Sequence, residues 1–80
     1  VKREEALSRV LKVVAETFEL KPDEIEESSA YVADLEADSL DLVELVMAFE
    51  EEFEVSIPEE AVADIKTVAE TVDYVLAQAG

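Results

Sequence analysis

Apolar residues recur at helical spacing in three long runs and one short one. Leu7, Val10, Leu11, Val14 and Phe18 share one face of a segment running from about Lys2 to Glu19, which predicts a first helix. Lys21-Pro22-Asp23 ends it, because proline cannot continue a helix and disfavours helical backbone at the residue before it. A long connection follows, from Leu20 to about Ala37, with Leu20, Ile25, Tyr31, Val32 and Leu35 available to pin it on a core. Structureless connections of this length are uncommon in a compact domain unless they are functional. The second helix is predicted from about Asp38 to Glu52. Asp38 is its N-cap, which leaves Ser39 exposed in the first turn.

Ser56-Ile57-Pro58-Glu59-Glu60 opens a short third helix, with proline at its first position and carboxylates in its first turn, ending near Ile65. Thr67-Val68-Ala69-Glu70 forms a capping box for a fourth, whose Val68, Val72, Val75, Leu76 and Ala79 face inward. No β-strand is required. The expected architecture is all-α: a small four-helix bundle, three helices long and one short, with a long loop between helices 1 and 2 and one domain over residues 1–80.

At 100° per residue the second helix carries two apolar stripes. Leu42, Leu45, Val46, Phe49 and Phe53 point in one general direction, the expected core side. Leu40, Val43 and Met47 point well away from it, bordered by Glu44, Glu50 and Glu51. Two readings follow for the second stripe. Val43 and Met47 either sit under the long loop, or they anchor a docking face on which carboxylates orient a basic partner.

Composition narrows the choice of partner. Half of the 80 residues are apolar, which excludes a disordered acidic tail, yet 22 acidic residues against 6 basic ones leave a net charge of −16. Such a surface repels phosphate backbones and anionic lipid and suits basic protein patches. No apolar run approaches the roughly 20 residues of a membrane span, and Lys2-Arg3 leads into Glu4-Glu5, not into the apolar core of a signal peptide. The expectation is a monomeric, soluble domain with no nucleic-acid partner and no membrane insertion. Its expected compartment is the cytoplasm, or an organelle stroma or matrix in a eukaryote.

Candidate chemistry centres on Asp38-Ser39-Leu40. With no His and no Cys in the chain, Ser39 has no ordinary general base, and its carboxylate neighbours offer no oxyanion arrangement, which excludes a serine hydrolase. Asp34-x-Glu36-x-Asp38 begins like a calcium loop. It then places Ser39 where the turn glycine belongs and Leu45 where a bidentate glutamate is needed. No metal site is expected. An exposed serine heading a helix is better suited to being modified by another protein than to acting as a nucleophile.

The stretch from Asp34 to Phe53 strongly resembles the central helix of acyl carrier proteins of type II (dissociated) fatty acid synthesis. The likeness continues through Val55-Ser56-Ile57-Pro58-Glu59-Glu60-Ala61, Ile65-Lys66-Thr67-Val68 and Val72-Asp73-Tyr74-Val75, and is weaker over the first 30 residues. The resemblance implies a carrier, not an enzyme. Growing acyl chains would be held as thioesters on 4′-phosphopantetheine joined to Ser39, with Asp38 and Leu40 flanking the attachment. It further implies a recognition face of Leu40, Asp41, Val43, Glu44, Met47, Glu50 and Glu51, read by a phosphopantetheinyl transferase and by fatty acid synthesis enzymes through basic patches. By the same likeness, Tyr31, Val32, Phe49, Ile57, Val62, Ile65 and Tyr74 line an acyl pocket between helices 2 and 3. The alternative within this class is a stand-alone carrier of a polyketide or other specialised acyl pathway. Two residues depart from the family pattern: Glu36 stands where glycine is usual, and Val62 where alanine is expected.

Overall fold

Each long hydrophobic run becomes a helix in the computed structural model, which describes residues 2–79. The two terminal positions of the expected 1–80 domain therefore lie outside the described residues. Four α-helices form: α1 (Arg3–Phe18), α2 (Ser39–Phe53), the single turn α3 (Glu59–Val62) and α4 (Val68–Ala79). No strand forms among the described residues; one isolated bridge pairs Ala30 with Thr67. The small all-α bundle, three helices long and one short, is the observed fold.

α1 packs against both α4 and α2. Its covered face is consequently wider than the run of large residues predicts. Val10 and Val14 are buried together with Val13 and the small Ala6 and Ala15, while Leu7, Leu11 and Phe18 border the core, half-buried. The helix also stops earlier than Lys21-Pro22-Asp23 requires. Glu19 adopts left-handed backbone, φ 56°, and its N–H returns to the Ala15 carbonyl. Pro22 begins a 3-10 turn, Pro22–Glu24, tied by the Lys21 N–H donating to the Glu24 carboxylate at 2.8 Å.

The long connection is ordered by what it supplies to α4. The first N–H groups of a helix have no intrahelical acceptor. Here Val68 N–H donates to the Ser29 carbonyl at 3.2 Å and Ala69 N–H to the Glu27 carbonyl at 2.9 Å. Thr67 Oγ1 accepts from Glu70 N–H at 3.2 Å, so the predicted capping threonine holds. The return bond of the predicted box is not made: the Glu70 carboxylate accepts from the Thr67 hydroxyl, at 3.4 Å, and not from its backbone N–H. Tyr31 closes the arrangement. It is 1% exposed, its ring centroid lies 6.4 Å from that of Phe49, and its hydroxyl is hydrogen-bonded to Thr71 Oγ1. Ile25 is also buried, and Leu20 and Leu35 are half-buried. Val32 departs from expectation: it is 59% exposed, because Tyr31 and Leu35 take the inward positions of the turn.

Phe49, Leu45, Val68, Val72 and Val75 complete the core, each contributing about 1.5–3 kcal/mol by burial. Leu76 is half-buried, and the inward placement predicted for Ala79 falls outside the described side chains. Arg9 adds a polar tie between α1 and the end of α2. Its Nε lies 2.7 Å from Glu52 Oε2, it donates to the Glu52 carbonyl, and its guanidinium sits 4.6 Å from the Phe53 ring centroid. A partly exposed pair of this kind is worth about 1 kcal/mol or less, so hydrophobic burial decides the fold. α3 is shorter than predicted. Pro58 is its N-cap, and after Val62 the chain tightens into i to i+3 bonds, Asp64 N–H to Ala61 O and Ile65 N–H to Val62 O, which turn Ile65 into the core.

Burial lifts the Tyr31 phenol above the ordinary tyrosine range. A Thr71 hydroxyl turned toward a phenolate would offset part of this, and the nearby Glu70 charge adds to it. The folded state therefore holds this proton more tightly than the unfolded chain, and stability falls as pH rises above about 10. Alkaline denaturation followed by far-UV circular dichroism should show this loss in wild type. Tyr31→Phe should blunt it while costing about 1–2 kcal/mol at neutral pH through the lost hydrogen bond.

Candidate functional site

α2 begins where its sequence places a cap. Asp38 Oδ1 accepts from Asp41 N–H at 2.9 Å, and Asp41 Oδ2 accepts in return from Asp38 N–H at 3.2 Å. This reciprocal box leaves Ser39 as the first helical residue, exposed to solvent. The partial positive charge of this helix N-terminus is met by the Asp38 and Asp41 carboxylates themselves. The approach to Asp38 is strained, because Glu36 sits at φ 55°, left-handed backbone that favours glycine. This is the position at which the family resemblance expects glycine.

The outward stripe of α2 is open. Leu40, Val43 and Met47 are 65%, 55% and 59% exposed, which rules out the reading that the long loop covers them. Glu44 and Glu51 lie exposed on the same side. The other two predicted recognition carboxylates are already engaged with backbone: Asp41 in the capping box, and Glu50 through Oε2, which accepts from Ile57 N–H at 2.9 Å. Both are half-buried. Glu50 thus holds the turn between α2 and α3, a role invisible in the sequence because it spans the irregular segment after Phe53.

Two cavities flank this end of the bundle, each about 450 Å³ and within the range of small-molecule sites. The first opens at Ser39 and runs between α2 and α3, over Val43, Val46, Met47 and Ile57 with Glu59 at its edge. The second lies between the long loop and α3, walled by Tyr31, Val32 and Ile65, with Lys66 at its rim. Leu42 and Val62 line both. Of the predicted pocket residues, Tyr31, Val32, Val62 and Ile65 meet at the second cavity and Ile57 joins Val62 at the first. Phe49 and Tyr74 line neither. Phe49 is fully buried beneath Tyr31, and Tyr74 faces an acidic surface beside Asp64 and Asp73 while its hydroxyl donates to the Ser56 carbonyl at 3.3 Å. Leu42 and Val46 read as core in the sequence; Val46 lies at the edge of that stripe, but nothing in the spacing marks Leu42, at its centre, as a residue that faces a groove.

Ser39 is accessible, and an apolar groove starts at the same residue. Residues 8–75 match the phosphopantetheine attachment site family. Over 76 residues the chain is 45% identical to a protein named acyl carrier protein from Phenylobacterium zucineum (strain HLK1), covering 95% of this chain and 96% of the relative.

Glu36→Gly should stabilise the fold by about 0.5–1 kcal/mol, since glycine adopts positive φ without the Cβ clash. Glu36→Ala, which keeps the clash, should not. Glu50→Ala should cost about 1–2 kcal/mol and speed hydrogen exchange at Ile57, with Glu50→Gln intermediate because it retains an acceptor. Urea denaturation and amide exchange read these outcomes.

Proposed function

The chain belongs to the phosphopantetheine attachment site family as an acyl carrier protein, and on that premise we propose that it carries growing acyl chains for dissociated fatty acid synthesis from an arm on Ser39. The observation that carries this reading is the coincidence at one residue of an exposed hydroxyl, a helix N-terminus and the mouth of an apolar groove. When attached, 4′-phosphopantetheine supplies the thiol that holds acyl groups as thioesters, a sulfur that the cysteine-free chain does not itself provide. The residues at the site then serve placement. Asp38 and Asp41 keep the serine at the head of α2, and Leu40 flanks it in the first turn. The groove between α2 and α3 gives a chain apolar surface in place of water.

The chain's role in this reading is not catalytic. Ser39 receives the arm from a phosphopantetheinyl transferase, and the outer face of α2 presents the cargo to synthesis enzymes in the cytoplasm or an organelle stroma or matrix. Leu40, Val43 and Met47 provide apolar contact there. Glu44 and Glu51, free of internal partners among the described residues, steer basic patches. Asp41 and Glu50 act on that face indirectly, by holding backbone.

Incubation with coenzyme A and a phosphopantetheinyl transferase should add one phosphopantetheine to the intact mass, mapped to the peptide containing Ser39. Ser39→Ala should abolish the increment and keep the helical signal. An unmodified wild type under conditions that load a control carrier would overturn the proposal. Glu44→Lys or Glu51→Lys should weaken transferase binding roughly three- to tenfold, against little change for Glu4→Lys or Glu26→Lys. The contrast should shrink in high salt. Equal losses at all four positions would assign recognition to bulk charge.

A further inference from the structure

The run from Asp34 to Asp41, which brings the chain to Ser39, carries four carboxylates, and three of them hold backbone. Asp34 accepts from Ala30 N–H, Asp38 from Asp41 N–H and Asp41 from Asp38 N–H. Glu36 is the fourth. It is exposed and has no hydrogen-bond or ion-pair partner among the described residues. We propose that Glu36 is a specificity-determining contact of the attachment site, its carboxylate pairing with a lysine or arginine of the transferase that loads Ser39. This rests on the reading of Ser39 as the attachment point and adds to it a residue that selects the partner.

The backbone turns Glu36 outward. Leu35 N–H donates to the Ala30 carbonyl at 3.2 Å and Ala37 N–H to the Tyr31 carbonyl at 2.9 Å. Ala37 is buried and Leu35 half-buried, so the neighbours on both sides are held to the core. The residue between them takes φ 55°. Left-handed backbone at Glu19 and Glu54 closes a helix, their N–H groups returning to the Ala15 and Glu50 carbonyls. Glu36 closes none. Glycine would take this turn without a Cβ clash, so the side chain at 36 strains the fold and makes no bond in return. Local strain of this kind persists at binding sites, where something other than the fold uses the side chain.

Its position selects the partner. Three residues of chain reach at most about 11 Å, so Glu36 stands close to Ser39. Coenzyme A brings phosphates to that hydroxyl, while Asp38 and Asp41 already occupy the positive end of α2. An unpaired carboxylate there repels the incoming anion. A cation on the transferase, set against Glu36, cancels this repulsion and fixes the enzyme over the serine. A transferase without one is disfavoured. Glu44 and Glu51 lie further along α2 and meet any partner laid on its open face. Glu36 precedes the helix and meets a partner that closes over its head.

The test follows loading of the unmodified protein by coenzyme A and a phosphopantetheinyl transferase, read by intact mass, in Glu36→Gln, Glu36→Asp and Glu36→Gly. Gln keeps the Cβ and removes the charge, so KM for the carrier should rise roughly threefold to tenfold at low salt with kcat retained. Asp keeps the charge and tolerates left-handed backbone, and it should stay within about twofold of wild type. Gly should match Gln in KM while melting above wild type, which separates the contact from the fold. Glu54→Gln is the control: the same exposed residue in the same backbone conformation, about 20 Å away at the other end of α2. It should leave KM unchanged. An unchanged KM in Gln and Gly, faster loading of either, or an equal rise in Glu54→Gln would overturn the proposal and leave attachment at Ser39 standing. A wild type that takes up no arm while a control carrier is loaded would overturn the premise and the proposal together.

Discussion

The burial of Tyr31 is the constraint on which the Ser39 end of the molecule depends. Its ring packs against Phe49 of α2, its hydroxyl bonds Thr71 of α4, its N–H donates to the Lys66 carbonyl, and its own carbonyl accepts from Ala37 N–H. One residue therefore fixes the long connection to the helix before which it ends and to the helix it caps. Ordering each residue of that connection costs about 1–2 kcal/mol in backbone entropy. The burial of Ile25 and Tyr31 and the carbonyls of Glu27 and Ser29, which satisfy the first N–H groups of α4, offset that cost. With the connection held, the position of Asp38, and so of Ser39, is set.

Geometry divides the acidic surplus into carboxylates that hold backbone, carboxylates paired with arginine and carboxylates with neither task. Asp34 accepts from Ala30 N–H at 2.7 Å, Asp38 and Asp41 close the α2 cap, and Glu50 holds Ile57. These groups build the site by satisfying backbone donors that irregular segments leave without helical partners. Glu27 and Glu52 are spent on Arg3 and Arg9. Glu44 and Glu51 have no such task, and they stand beside the exposed Leu40, Val43 and Met47. In the proposed role, that separation gives a partner an exposed apolar stripe with negative charge at its edge.

Glu36, in left-handed backbone like Glu19 and Glu54, and the single turn of α3 are the irregular features nearest the candidate site. Glu36 adopts left-handed backbone immediately before the cap, and α3 depends on its neighbours for its position. The long helices carry stability through their buried faces. The segments between them carry the shape of the groove through a few specific hydrogen bonds.

The sequence by itself determined the four helices, the start of α2, the exposure of Ser39 and the two-sided character of α2, because these follow from local periodicity and from capping chemistry within a few residues. The Thr67 cap was legible for the same reason. The tertiary structure alone decided which apolar residues of the long connection face inward, Tyr31 and not Val32, since a turn has no period from which to read a face. It also decided that Asp41 and Glu50 each hold a backbone N–H while Glu44 and Glu51 hold none among the described residues, and that Phe49 and Tyr74 line neither cavity. Whether a carboxylate is free or engaged depends on a donor brought near by folding, and whether a side chain is core or cavity wall depends on the gap between two elements. Neither the donor nor the gap is written in the spacing of residues along one helix.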